Sequence, residues 1–552
     1  MLHKILAWMG RQEMSVGSWL AAFLSIYMIR FFIECLSSAP LADILDKTPP
    51  LILLQFALFY LALVLGVACI LKLATRDAPS IIKIILYGTC LIWIAPSVDL
   101  AVYGRAGQVM MYIFAGSDEI WHRYLTAFGA QPALNAITAG IQVEVAVILF
   151  GIGLFAFLYR RNLWAPVIAV LAAHFFIFFI GCLPSLVAIL LQSPTPETLT
   201  GNGFFDYFRS VYWESGMARN VMGAGDPAFT GTDMVFAQIL LFVSAALGLL
   251  WFLLDRPKTV RAILRNCRPE RALFYAAFLF VGLALANVQR GAWTYNWIDD
   301  LSIATLVLSW FASWMFAVHI NDIADIEIDK ISNRSRPLVT GALSVEEMRQ
   351  SAVIWLAISF AGAMALGQYT LFLDAFCIAC SYAYSAYPLR LKRVPVFASL
   401  LIALVALGSV FAGFFLMCTD KAQSSFPLAV ALSFVAMFTL GVNVRDIKDI
   451  EGDRAQGIMT LPVLFGKNGT RVTGLLFAAS FLVAPLVFQW MLAYAIAAPA
   501  AMAAYIVATH KSFHDRHVFV LYFVFVAAGL ALMIVAPHYG YAQPGVLDLI
   551  RQ

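Results

Sequence analysis

Two stretches of this 552-residue chain carry acids at the same spacing. The first runs Asn321, Asp322, Ile323, Ala324, Asp325, Ile326, Glu327, Ile328, Asp329; the second runs from Asn443 through Arg445, Asp446, Lys448, Asp449 and Glu451 to Asp453. Asp322, Asp325 and Asp329 are spaced i, i+3, i+7, and so are Asp446, Asp449 and Asp453. At about 3.6 residues per turn each set is expected on one face of a helix. Three carboxylates on one face repel each other unless a cation joins them. Hard oxygen ligands suit Mg²⁺, which binds carboxylates, water and substrate phosphates together. Two such faces set opposite each other would hold metal ions around a diphosphate. A solvated acidic helix end accounts for one cluster but explains a repeated spacing poorly.

Cations accompany both clusters. Lys330, Arg334 and Arg336 follow the first, and Arg445, Lys448 and Arg454 lie within or beside the second. Such groups neutralise a departing diphosphate, although each can equally be a charge that sets topology. Arg336, followed by Pro337, is the best placed; Lys448 falls off the helical face that carries the aspartates. A third stretch between the clusters, Tyr384, Ser385, Ala386, Tyr387, Pro388, Leu389, Arg390, Leu391, Lys392, Arg393, adds aromatic rings and further cations. Cys377 and Cys380 form a CxxC inside an apolar run, where free cysteine behaves as a small packing residue.

The elements that must position these residues follow from composition. Hydrophobic residues make up 62% and charged residues 12%, against about a quarter charged in a soluble domain, so the chain is expected to be an all-α polytopic membrane protein. Apolar stretches of spanning length suggest fifteen spans. Six lie near 16–36, 51–74, 80–103, 133–159, 163–192 and 233–254; nine lie near 272–288, 300–320, 347–366, 368–387, 394–417, 425–443, 472–490, 492–509 and 517–536. Every second connection is rich in Lys and Arg, as in Arg256 to Arg271, Lys330 to Arg336, Arg390 to Arg393 and Arg445 to Lys467. By the positive-inside rule the N-terminus and the acidic clusters are then cytoplasmic and the C-terminus extracytoplasmic. Met1 to Glu13 is short and polar, so the apolar stretch after it is expected to be a retained span rather than a cleaved signal. The net charge of +4 is too small to suggest a nucleic-acid partner. Eight scattered cysteines have no disulfide-framework spacing.

At these motifs the chain resembles the UbiA superfamily of intramembrane prenyltransferases. Asn321 to Asp329 is similar to its NDxxDxxxD signature, followed by Asn333, Arg336, Pro337, Leu338 and Gly341; Asp446 to Asp453 is similar to its second signature, followed by Gly457, Thr460, Leu461, Pro462 and Gly466. The resemblance covers about 265–540 and implies a nine-helix bundle. It implies transfer of a prenyl group from an allylic polyprenyl diphosphate donor to a hydrophobic acceptor in the lipid bilayer. Carried over, Asp322, Asp325 and Asp329 would bind one Mg²⁺ and Asp446, Asp449 and Asp453 another. Asn321 would orient the first carboxylates. Arg334, Arg336, Arg445 and Lys392 would hold diphosphate oxygens, with Tyr384, Tyr387 and Arg390 beside the substrate. The stretch from Asp325 to Leu338 looks most like the branch holding chlorophyll synthase and archaeal ether-lipid synthases. The acceptor stays open, and the absence of any targeting segment suggests a prokaryotic cytoplasmic membrane.

Three other readings compete. A UbiA-type cyclase would ionise the diphosphate without an acceptor. A cation-coupled transporter would use the two acidic helices as a repeat, but it has no need of the Asn-x-x-Arg-Pro-Leu and Thr-Leu-Pro companions. A dead scaffold would not keep all six aspartates. Domains are expected at 1–255 (six spans without a recognisable signature), 256–271 (a basic cytoplasmic linker) and 272–552 (the prenyltransferase part). In the first of these, Arg30 and Glu34 can pair at i, i+4, while Asp99 and Glu144 are costly in lipid and are candidates for lining a polar cavity. A lone His174 is expected to be a satisfied core residue, and the 193–233 connection a lid or interfacial segment.

Overall fold

A segment surrounded by lipid must satisfy every backbone N–H and C=O internally, which leaves the helix as the economical solution. In the computed structural model every regular element among the described residues is helical. The described residues are 1–38, 50–76, 78, 80–104, 112–113, 117, 120–126, 137–160, 162–191, 207, 210–211, 227–290, 296–418, 426–455, 457–487 and 490–535. Most of the expected 193–233 connection and the chain beyond 535 lie outside them. Thirteen helices among them are long and apolar enough to cross a membrane. The further spans expected at 368–387 and 517–536 are helices Gln368–Ser385 and Asp515–Val535, neither among the thirteen, so length and composition alone do not reach fifteen.

Contacts divide the chain into two units, Met1–Val260 with Asn296–Leu301 and Arg261–Tyr295 with Ser302–Gln552. In the first, the costly acids are satisfied by neighbouring backbone. Asp99 accepts hydrogen bonds from Thr138 Oγ1 (2.6 Å) and the Gly140 N–H (2.8 Å). It therefore caps helix Ala139–Arg160 from another segment, where a carboxylate is favoured. A Cβ at Gly140 would lie 2.1 Å from the Ala95 carbonyl oxygen, so only glycine allows this approach. Glu144 accepts from the Ala95 N–H at 3.0 Å. Arg30 and Glu34 form a buried ion pair, and the Arg30 guanidinium lies 5.0 Å from the centre of the Tyr60 ring. The His174 ring stacks on Tyr124 at 4.7 Å. The expected 163–192 span is interrupted at Cys182, with helices Trp164–Gly181 and Leu183–Leu190 on either side; Pro184 enters the second at its start, where its missing N–H costs nothing.

In the second unit, helices Pro269–Arg290 and Pro395–Met417 cross at a reciprocal pair of glycines. A Cβ on Gly282 would meet the Val410 carbonyl oxygen at 2.0 Å, and one on Gly413 the Leu279 carbonyl oxygen at 2.0 Å. Small residues that let backbones touch are how helices associate where lipid removes the hydrophobic drive. Helix Val345–Ala365 starts on a capping box, with Ser344 Oγ accepting from the Glu347 N–H (3.1 Å) and Glu347 from the Ser344 N–H (2.9 Å). That start lies four residues beyond Gly341, which ends the preceding turn in the left-handed region (φ 73°).

Candidate active site

Helix Trp297–Ala324 carries Asn321 and Asp322 on its last turn and then breaks at Asp325, which begins helix Ile326–Ser332. The i→i+4 pattern continues through the break, because the Asp325 N–H donates to the Asn321 carbonyl (3.0 Å) and the Asp329 N–H to that of Asp325 (2.8 Å). The first acidic set therefore keeps nearly helical spacing. The second does not: residues Val442–Asp449 form a 3-10 helix, followed by the short helix Ile450–Ala455. At three residues per turn, side chains at i and i+3 eclipse. This stacks Asp446 on Asp449, and Arg445 on Lys448. Lys448 thus stays off the side that carries the aspartates, yet it lines the same cavity. Helices Ile326–Ser332 and Ile450–Ala455 pack against each other, so the two clusters face one another.

Each acidic helix is closed by a turn that holds its last aspartate. Asn333 Nδ2 donates to Asp329 Oδ1 at 2.9 Å, and the Arg336 N–H returns to the Asn333 carbonyl at 3.0 Å. This folds Arg336 back toward Asp329, and Pro337 starts the next helical turn. On the other side Gly457 turns in the left-handed region, and Thr460 Oγ1 donates to Asp453 Oδ2 at 3.3 Å. The Asn-x-x-Arg-Pro and Thr-Leu-Pro stretches thus do the same work at two places.

A cavity of about 230 Å³ lies between these elements. Its lining includes Asn321, Asp325, Asp329, Asp446, Asp449 and Asp453, together with Arg336, Arg445, Lys392, Lys448 and Tyr384. Two cations already reach Asp325. Asp325 receives Asn321 Nδ2 (2.6 Å), Arg390 Nη2 (2.8 Å) and Lys392 Nζ. Burial, and then the nearby Asp322, pushes the Asp329 carboxyl up to about 6; Arg336 and Asn333 oppose the shift.

Four expected residues are not brought to the lining. Asp322 is 1% exposed and paired with Arg268, with Asn266 Nδ2 on its other oxygen at 2.7 Å. It stands behind the cavity. Arg334 is exposed in a turn. Tyr387 is exposed, and its hydroxyl accepts from Arg390 Nη1 at 2.7 Å. Arg390 reaches Asp325 from outside the lining. Arg268, which does line the cavity, lies in the stretch read as a linker, and only its basic character offers a signal. Both Arg268 (φ 51°) and Arg390 (φ 44°) adopt left-handed backbone, which costs a non-glycine residue energy and persists only where surroundings impose it. Both grip an aspartate of the first cluster.

No three His, Cys, Asp or Glu side chains among the described residues stand close enough together to hold a metal, since the carboxylates are drawn to arginine, lysine and amide partners. The donor set nonetheless suits an anion bridged by a divalent ion. Five carboxylates line the cavity from two sides, and the buried Nε atoms of Arg268 and Arg336, both in the lining, have no hydrogen-bond partner. A buried N–H without an acceptor is costly, and phosphate oxygens would supply acceptors.

The model of the UbiA prenyltransferase family matches residues 275–527, leaving the N-terminal half outside it. A digeranylgeranylglyceryl phosphate synthase from Thermococcus kodakarensis is 33% identical over 232 residues, 41% of this chain and 76% of that protein. One from Sulfolobus acidocaldarius is 27% identical over 214 residues, 38% of this chain and 72% of the relative. A probable homogentisate phytyltransferase 2 from Oryza sativa subsp. japonica is 32% identical over 176 residues, 29% of this chain and 44% of the relative. Among solved structures, a UbiA homolog from Archaeoglobus fulgidus bound to GPP and Mg²⁺ matches with a TM-score of 0.38 and 22% identity, over 49% of this chain and 99% of that one.

Proposed function

The chain belongs to the UbiA prenyltransferase family, and from that membership we propose that residues 272–552 transfer a prenyl group from an allylic isoprenoid diphosphate to a lipophilic acceptor within the bilayer, releasing diphosphate. The observation that carries this reading is the cavity itself, with carboxylates on both sides and unpartnered guanidinium N–H groups between them.

Asp325 and Asp329 on one side, and Asp446, Asp449 and Asp453 on the other, are the residues that would hold Mg²⁺, which when bound withdraws charge from a diphosphate. Arg268, Arg336, Arg445, Lys392 and Lys448 bind and orient the diphosphate oxygens. Asp322 anchors Arg268, and Asn321 orients Asp325. Tyr384 and Tyr275 present aromatic faces to positive charge developing on the allyl group. The bundle walls exclude water, which would otherwise capture that group. The Lys and Arg bias of its connections supports a cytoplasmic acid end.

The test is diphosphate release from C10 to C20 allylic diphosphates by the full chain in lipid with Mg²⁺, with and without a host lipid extract. Release that needs the extract, and is lost in Asp325→Ala and Asp449→Ala, supports a transferase. Release without extract replaces it with a cyclase or hydrolase. No release from any donor, with both variants indistinguishable from wild type, sinks it.

A further inference from the structure

The lining of the cavity is a set of stripes at helical spacing, and three of them stop at one layer. Helix Trp297–Ala324 contributes Asn321, Val318, Ala317, Trp314 and Ser313, and last Trp310. Helix Pro395–Met417 runs the other way, from Ala398 through Leu401 and Val405 to Ser409. Helix Gln368–Ser385 ends its stripe at Cys377. At that layer Trp310 Nε1 donates to Ser409 Oγ at 3.0 Å, and Ser409 Oγ donates in turn to the Val405 carbonyl at 2.9 Å. Trp310 is 6% exposed and Ser409 is fully buried. Cys377 is held against the same helix: its thiol lies 3.9 Å from the Val405 carbonyl, and a Cβ on Gly408 would meet its sulfur at 2.6 Å.

We propose that the hydrogen-bonded Trp310–Ser409 pair, with Cys377 beside it, is the closed end of the donor-chain pocket and limits the donor to two or three isoprene units. The inference rests on the prenyl-transfer reading above and names its donor class. From Trp310 to Asn321 the helix rises about 16 Å. An isoprene unit adds four chain carbons, on the order of 5 Å at about 1.5 Å per bond, so three units reach the indole and a fourth does not. Polar partners fix the indole across the axis, where an apolar side chain would be free to swing aside. Trp310 is thus a specificity-determining residue for chain length.

The experiment measures relative kcat/KM for C10, C15 and C20 allylic diphosphates in competition, using the full chain in lipid with Mg²⁺ and host lipid extract. Wild type is expected to disfavour C20 against C15 by about tenfold or more. Trp310→Ala raises the C20:C10 ratio about tenfold. Trp310→Phe, which keeps bulk but loses the hydrogen bond, raises it less. Ser409→Leu fills the closed end and lowers C15 against C10, so the proposal stays testable if Trp310→Ala does not fold. Equal use of C15 and C20 by wild type overturns the ruler while leaving prenyl transfer intact. So does a Trp310→Ala or Ser409→Leu variant that turns over donors with unchanged ratios. A wild type that turns over no donor overturns both readings together.

Discussion

Asp325 meets two cations, since Arg390 and Lys392 both reach it, and Asn321 holds its second oxygen. Replacing it with alanine removes a proposed Mg²⁺ ligand and leaves two buried cations facing each other. Activity is expected to fall at least about 100-fold, read as diphosphate release at saturating donor. Arg268 and Asp322 behave differently because Arg268, in the lining, is paired with Asp322 behind it. Arg268→Ala strands a buried carboxylate, at a cost of about 3–5 kcal/mol; the Arg268→Ala, Asp322→Ala double variant should recover stability in thermal unfolding without recovering activity. Asp329 gives a pH dependence with a definite sign. Its carboxyl is pushed up to about 6, first by burial and then by Asp322, so without metal it holds a proton to higher pH than an exposed aspartate does. A cation needs the charged form. Half-saturating Mg²⁺ is therefore expected to rise as pH falls through about 6, and to be flat above about 7. The folding contribution has the same origin: charging Asp329 in the metal-free protein costs stability as pH rises from the ordinary carboxylate range through about 6.

At the scale of elements, the acids are aimed by two kinds of helix. The first cluster was legible as spacing because i, i+3, i+7 is a face of an α-helix, and its backbone keeps that repeat through the break at Asp325. The second has the same letters but winds as a 3-10 helix, and nothing in its composition announces the tighter turn. Lys448 lines the cavity, so Lys448→Ala is expected to raise the donor KM several-fold, which a solvent-facing lysine would not do. Close helix crossing sets the other wall. Gly413→Ala puts a methyl against the Leu279 carbonyl, and at about 1–3 kcal/mol for overpacking it should lower the unfolding midpoint of the full chain measurably.

At the scale of the molecule, the N-terminal unit holds buried charges that mostly serve its own helices. Asp99 caps helix Ala139–Arg160, and Glu144 takes the Ala95 N–H. Asp99→Asn in the full chain is accordingly expected to lower thermal stability while leaving donor KM unchanged. A changed KM would mean that this unit takes part in substrate handling.

Helix content, membrane residence, the six aspartates and the family were determined by sequence, because each depends on local chemistry: apolar runs long enough to span, carboxylates at a repeated interval, and turn residues that follow them. Tertiary structure decided which of those groups share a cavity. Asp322 stands behind the wall, paired with Arg268 from the turn that precedes helix Pro269–Arg290. Arg334 and Tyr387 were left facing outward, and Trp310 met Ser409 across 99 residues of chain. Such pairings depend on which helix faces which, and close packing between distant segments sets that arrangement.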